Sequence, residues 1–305
     1  MLLRDVPSDE LALVLGRTTA GWLALGMVLK AVGLSLHELR LWHLLPRPRP
    51  SLGSVYSLGL AAGVLNLFLP GRGGDVAAVV FLHRELRVPL ATATAAVGLT
   101  GFLEAAVFAT VVAGVLVVDL ARWEVLLGVA ATGDALGWAG GLALLALLAT
   151  AVVAVVGRRL ARRSGSDQRK GPVGLVVDIV QAAGTALTTP SMLLVNALLC
   201  LIQVVLMVAA FAVLLPALQV DIQTPWLAAA GVLALSSLAS VVLPPSYGAG
   251  PAAASVAVLS LFGVARTEAL AFTALWWLVA HGPAVGLGLP ALWGRPGWRG
   301  DDVRP

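Results

Sequence analysis

The sequence predicts an all-α protein, a polytopic transmembrane helical bundle with two re-entrant or broken-helix hairpins related as an inverted repeat. Three observations predict it. The first is composition: of 305 residues, 59% are hydrophobic and 12% charged, with a mean hydropathy of +0.94. A soluble domain carries about 25% charged and about 45–50% apolar residues, and a soluble chain has too much surface to hide such an excess. The second is the length of the apolar runs. They approach the ~20 residues a helix needs to cross hydrocarbon, not the ~10-residue alternating segments of a transmembrane β-barrel. The third is a pair of Pro/Gly-rich breaks, 70–75 and 244–251, at corresponding places in two halves.

The formal net charge is +4 and the pI about 10.0, yet nucleic acid is not the implied partner. The basic residues sit in short runs between apolar segments, as positive-inside asymmetry predicts. The single cysteine, Cys200, excludes a disulfide framework and a thiolate metal site. Asp5, Asp9 and Glu10 precede any apolar run, so the N-terminus does not read as a cleaved signal peptide. The Ala/Arg/Gly-rich, Lys-poor composition suggests a bacterial source, and with it residence in the cell inner (plasma) membrane.

Along the chain, the first candidate span is Ala20 to Leu45. It contains Lys30, His37, Glu38 and Arg40, so its second half is expected at the membrane interface. The linker Pro46-Arg47-Pro48-Arg49-Pro50 cannot be helical throughout. Leu52 to Leu69 is apolar and stops at Pro70-Gly71-Arg72-Gly73-Gly74-Asp75. A short apolar stretch, Val76 to Leu82, then ends in His83-Arg84-Glu85. Clearer spans follow at Pro89 to Val118 and Leu136 to Val156. The run Arg158 to Lys170 holds six basic residues against one acid, Asp167, and marks a cytoplasmic loop. Val173 to Thr188 reads as interfacial. Pro190 to Leu215 and Trp226 to Leu243 are spans, followed by the break Pro244-Pro245-Ser246-Tyr247-Gly248-Ala249-Gly250-Pro251. A short stretch, Ala252 to Phe262, and a last span, Glu268 to Trp293, precede a tail with Arg295, Arg299 and Arg304.

The two breaks match. Each opens on Leu-Pro, passes a Gly-rich turn and a short apolar stretch, and leads through Arg87-Val88-Pro89 or Gly263-Val264-Ala265 into a long span. Val88 stands 18 residues after Pro70 and Val264 20 after Pro244. The domain organisation expected is a single transmembrane domain over 1–305. It comprises a first half at 20–156, a basic cytoplasmic loop at 157–172, a second half at 173–293 and a basic cytoplasmic tail at 294–305. With the loop inside, the hairpins enter from opposite sides, an arrangement typical of transporter binding sites.

The stretch Asn66-Leu67-Phe68-Leu69-Pro70-Gly71-Arg72-Gly73-Gly74-Asp75 resembles the Asn-x-x-x-Pro-x-Arg-x-Gly-Glu signature of the lysylphosphatidylglycerol synthase transmembrane region, also called flippase-like domain proteins. The span through Glu104 is similar to that family's next helix, and Leu243 to Gly250 resembles its second Pro/Gly-rich motif. The resemblance covers Asp9 to Trp293. This chain departs from it in several places. Asp75 replaces a glutamate, and Ala77 and Ala78 stand where an arginine is usual. Thr100-Gly101-Phe102-Leu103-Glu104 keeps one acid of a richer pattern, and Pro251, Ala252 and Ala253 replace an Arg-Glu. An additional N-terminal span of the family has no counterpart before Asp9. With no soluble aminoacyl-transferase domain after Trp293, lipid aminoacylation is not expected. The resemblance implies movement of a phospholipid or polyprenyl-phosphate-linked lipid between leaflets.

The candidate substrate-binding residues are Asn66, Pro70, Arg72, Gly74, Asp75, Glu104, Tyr247, Gly248, Gly250 and His281. Arg72 beside a helix start can grip a lipid phosphate, or it can pair with Asp75 and stabilise the turn. Asn66 can hold freed backbone carbonyls or line a cavity. Glu104, deep in an apolar span, is costly there and functional by default; it can pair with Arg72, carry a coupling proton, or mark a span boundary. His281, roughly repeat-equivalent to Glu104, can be functional or a satisfied structural residue. Trp276 and Trp277 read as packing or anchoring groups, and Asp134 and Asp221 as interfacial. Arg40, Arg47 and Arg49 read as lipid-attracting or topology-setting charges. No metal spacing, Gly-x-Gly-x-x-Gly or Walker A motif is present, so no cofactor and no ATP-driven step is expected. The partners implied are membrane lipids with anionic or phosphate head groups. A membrane enzyme acting on a lipid phosphate and a non-catalytic membrane partner subunit are the rival readings. Neither catalytic nor metal-ligating residues are assigned.

Overall fold

In the computed structural model, the described residues are 8–69, 73–127, 172–187, 190–242 and 249–293, with isolated positions between 137 and 159. Among them all regular structure is helical and no strand occurs. The turns 70–72 and 243–248 and the tail 294–305 lie outside the described residues, as do most of the expected span Leu136–Val156 and of the basic run Arg158–Lys170.

The helices are α1 (Ser8–Gly16), α2 (Ala20–Leu44), α3 (Leu52–Phe68), α4 (Gly73–Arg84), α5 (Leu90–Val118) and α6 (Leu120–Leu127). After the loop region come α7 (Pro172–Ala186), α8 (Pro190–Ala212), α9 (Leu214–Ala217), α10 (Pro225–Val242), α11 (Ala249–Leu261) and α12 (Arg266–Trp293). Among the described residues, four stretches are long and apolar enough to cross a membrane: Ala20–Leu44, Leu90–Val115, Ser191–Ala217 and Arg266–Trp293. The chain is thus a multi-pass helical membrane protein.

Local chemistry explains the boundaries. Pro50 precedes Ser51, whose Oγ accepts from the Ser54 amide at 3.1 Å and caps α3. The Pro/Arg linker is folded back on the end of α2. There the Arg49 guanidinium donates to the carbonyls of Leu45 (2.9 Å) and His43 (2.8 Å) and lies over the Trp42 ring at 4.8 Å. Arg49 therefore satisfies the carbonyls left over at a helix end. At the first break α4 extends beyond the apolar stretch Val76–Leu82: it begins at Gly73, so Gly73, Gly74 and Asp75 belong to its first turn.

The two short helices end alike. After α4, Arg87 adopts φ 56° and the Val88 amide donates back to the Leu82 carbonyl at 3.1 Å. After α11, Gly263 adopts φ 77°, and the amides of Gly263 and Val264 return to Ser260 (3.0 Å) and Leu259 (3.1 Å). The second is a Schellman closure; the first is one residue longer. Both valines are buried, and each turn leads directly into a long helix. Each short helix also packs on the one before it, α4 on α3 and α11 on α10.

The chain divides into two compact units. The first takes 1–33, 110–140 and 204–285; the second takes 34–109, 141–203 and 286–305. In the first, Trp123 of α6 lies against Gly231 of α10, leaving no room there for a Cβ. Gly26 lets α2 approach the Ala210 carbonyl, and Phe211 stacks on Trp276 at 5.4 Å. In the second, Leu41, Leu44, Leu45, Val55, Leu58 and Leu82 form a core with Ala93, Ala96 and Leu187. There too Gly288 meets Leu60 and Val64 at a distance no Cβ would permit. Small residues at such contacts are how apolar helices associate in lipid.

Helix α8 shows how the polarity is arranged. Leu194, Leu198, Leu201 and Val205 form an exposed stripe at helical spacing, while Asn196, Cys200 and Gln203 point inward and are buried. A helix in water would be turned the other way round. Here the solvent for the outer stripe is hydrocarbon.

Candidate functional site

Among the described residues of the second unit, two polar constellations occur. The first is the turn between α3 and α4. Asn66 lies in the last turn of α3, and its Oδ1 accepts from the Gly74 amide at 2.7 Å. Its Nδ2 donates to Asp75 Oδ1 at 3.4 Å. A long-range side chain thus caps the start of α4, supplying an acceptor to one of the free amides of a helix N-terminus. The expectation that Asn66 holds freed carbonyls is corrected: it holds an amide. Gly74 is required for the approach, because a Cβ there would collide with the Ala62 carbonyl and the Asn66 side chain. Asn66, Gly74 and Asp75 are thereby brought together. Pro70 and Arg72 lie outside the described residues, as do Tyr247 and Gly248. Gly250 is buried in the first turn of α11.

The second constellation lies on the second half of α2, where Glu38 is 5% exposed and Arg40 0%. Arg40 Nη1 donates to Gln203 Oε1 of α8 at 2.8 Å, and Nη2 to the Thr100 carbonyl of α5 at 3.1 Å. Thr100 can spare that carbonyl while its own hydroxyl bonds the Ala96 carbonyl at 2.9 Å. The Glu38 carboxyl lies directly on Gly59 of α3, in the space a Cβ would occupy. Among the described residues, neither Glu38 Oε2 nor Arg40 Nε has a hydrogen-bond partner, an arrangement that is expensive in a low-dielectric interior.

Glu104 completes the cluster. It is the fifteenth of the 29 residues of α5, so it stands at mid-helix and not at a span boundary. Its Oε2 is 3.4 Å from His37 Nδ1, and its Oε1 accepts from Gln203 Nε2 at 3.1 Å. These two side chains are about a third exposed, 32% for His37 and 29% for Glu104, whereas Arg40 behind them is sealed. Gln203 joins the halves, accepting from Arg40 and donating to Glu104. Nearby, Asn196 of α8 contacts His43 Nδ1 at 3.2 Å.

His281 is placed in the first unit. Its ring packs edge-on against Trp277 (4.9 Å) and Trp276 (6.2 Å), so the two tryptophans serve as packing groups around it. Among the described residues no three His, Cys, Asp or Glu side chains are grouped to hold a metal ion. His37, Glu38, Arg40 and Gln203 are the polar residues that sequence reasoning passed over as candidate site residues. The signal was present: three ionisable side chains within four positions of an apolar run. Their depth was not, because it depends on Thr100 and Gln203.

The family model described as the lysylphosphatidylglycerol synthase transmembrane region matches residues 1–288. No curated protein matches the chain, and no solved structure does. With the family match spanning nearly the entire sequence, and with a multi-pass helical architecture to fit it, the chain belongs to the lysylphosphatidylglycerol synthase transmembrane region family.

Proposed function

We propose that this protein is a lipid translocase that moves a phosphate-bearing lipid between leaflets. The observation that carries this reading is a polar cluster on apolar helices, in which the fully buried Arg40 donates to Gln203 and the Thr100 carbonyl while Gln203 donates to Glu104 beside His37. Ionisable groups are costly among apolar helices and mark the paths of substrates or ions through membranes. The matched short helices α4 and α11, each packed on its predecessor and each closed by a left-handed turn, support a repeat of the kind that frames transporter sites. In this reading Arg72 grips the phosphate at the start of α4, where Asn66 and the helix amides shape the turn. The lipid tails stay in hydrocarbon while the head group crosses. The basic loop 157–170 and the C-terminus face the cytoplasm, in the plasma membrane.

The test is reconstitution of the purified chain with fluorescent phospholipids and prenyl-phosphate lipids, followed by dithionite quenching of the outer leaflet. Quenching beyond the outer-leaflet fraction is expected for at least one anionic lipid. Quenching equal to that of protein-free vesicles for all of them rejects the proposal. Arg72→Ala should slow translocation by about tenfold or more, the equivalent of about 1.4 kcal/mol or more of lost head-group affinity.

A further inference from the structure

The core of the second unit gathers the C-terminal ends of α2 and α4 with the start of α5: Leu44, Leu45, Leu82, Val88 and Ala93 are buried together there. The chain at and just beyond those helix ends is strongly basic. Residues 43–49 include His43, Arg47 and Arg49, and residues 83–87 include His83, Arg84 and Arg87. The acids beside them are Glu85 and, on α7 next to the core residue Ile179, Asp178. Arg47, Arg84 and Arg87 are exposed, and among the described residues none of their side chains has a hydrogen-bond or ion-pair partner. Partial burial, and after it the charge of Arg47, lower the pKa of Arg49 from its ordinary value, so these cations act on one another.

The depth of these charges is set by their neighbours in the chain. Leu52, three residues after Arg49, and Leu90, three after Arg87, are 42% and 39% exposed, and they are the first residues of α3 and α5. Large apolar side chains exposed on the apolar helices of a membrane protein face hydrocarbon. Trp42 donates from Nε1 to the Pro50 carbonyl at 2.9 Å and carries Arg49 over its ring at 4.8 Å, and tryptophan settles where hydrocarbon meets water. The arginines therefore stand at the level of the lipid head groups, where phosphates lie.

Arg87 supplies an independent observation. Its φ of 56° is left-handed, a conformation that is costly for a residue with a Cβ and free for glycine. The matching turn after α11 uses glycine, Gly263 at φ 77°. Around Arg87 the backbone is clamped. The buried Val88 sends its amide to the Leu82 carbonyl at 3.1 Å, and its own carbonyl meets His83 Nδ1 at 2.9 Å. An exposed arginine standing where glycine would serve the fold better points to a use for its side chain outside the fold.

We propose that Arg87, with Arg84 and the Arg47–Arg49 linker, binds the phosphate of an anionic phospholipid in the adjacent leaflet. An arginine offers a phosphate two parallel N–H groups, and each cation at a membrane surface adds to the attraction for anionic lipid. The acyl chains of that lipid lie along Leu52 and Leu90. This lipid is a resident of the rim and not cargo. Arg87 follows the end of α4, whereas Arg72 precedes its start in the sequence, and the proposal stands without the translocase reading.

The test is thermal unfolding of the full chain in phosphatidylcholine nanodiscs with rising fractions of phosphatidylglycerol. The wild-type midpoint should rise with phosphatidylglycerol and then saturate. No rise, or an equal rise with inorganic phosphate added to pure phosphatidylcholine discs, overturns the lipid site. In pure phosphatidylcholine, Arg87→Gly and Arg87→Asn, both tolerant of this φ, should unfold about 1–3 °C above wild type. Both should nevertheless need about fivefold more phosphatidylglycerol for half the response. A merely structural arginine would not give a gain in stability together with a loss in lipid response. Both variants less stable than wild type, or both with the full lipid response, overturn the role of Arg87. Arg17→Gln removes a charge elsewhere and should leave the response unchanged; a loss equal to that of Arg87→Gly means diffuse attraction and overturns the site. Arg72→Ala should also keep the response. A response lost there and kept in Arg87→Gly places the lipid at Arg72 and overturns the proposal.

Discussion

At the scale of single residues, the glycines of α3 show how closely the polar cluster is fitted. Gly59 lies under the Glu38 carboxyl with no space for a methyl group, whereas Gly63, one turn on, has nothing within 4 Å of a Cβ. Gly59→Ala should therefore push Glu38 away and cost about 1–3 kcal/mol, the usual penalty for overpacking. Gly63→Ala should be neutral or slightly stabilising, since alanine is the better helix former by up to about 1 kcal/mol. Thermal unfolding of both variants in the same detergent separates the two outcomes. Gln203→Leu makes a different point. It removes the acceptor of Arg40 Nη1 and the donor to Glu104, leaving a buried guanidinium nitrogen without a partner. A loss of about 1–3 kcal/mol follows, to be read as a lowered midpoint in unfolding by sodium dodecyl sulfate.

At the scale of elements, α4 is a helix of only 12 residues, short enough for its ends to matter. Its start is held by a side chain from the preceding helix, and its finish by Val88 returning to the Leu82 carbonyl. Asn66→Ala should loosen the first turn by about 1 kcal/mol, the ordinary worth of a helix cap. Hydrogen exchange should then be faster at the Gly74 amide and unchanged in the middle of α5. The inward stripe Asn196, Cys200 and Gln203 is the corresponding lesson on α8. Spacings of four and three residues put those side chains on one face, and their burial identifies that face as the one turned from lipid.

At the scale of the whole molecule, the orientation of the two hairpins is the feature to establish. In a Cys200→Ser background, Arg72→Cys and Tyr247→Cys should react with a membrane-impermeant maleimide from opposite sides of sealed vesicles. Labelling of both from one side rejects the inverted arrangement. The background substitution is mild in prospect, because the Cys200 thiol makes only a long contact to a backbone carbonyl.

Helical class, membrane residence, family and the places where helices break all follow from local properties of the chain. An apolar run of sufficient length must face lipid wherever it sits, and Pro and Gly interrupt a helix whatever surrounds them. The limits of α3, α5 and α12 were legible within a residue or two for that reason, and so was the place of Asn66 beside the first break, but not the amide it caps. The site was not. Whether His37, Glu38 and Arg40 meet water or a protein interior is no property of α2 alone. Arg40 finds its partners 60 and 163 residues away, and Glu104 finds Gln203 across 99. Only helices brought together by tertiary packing supply the acceptors that make a buried charge tolerable, and so only the tertiary structure could turn a run of misplaced charges into a site.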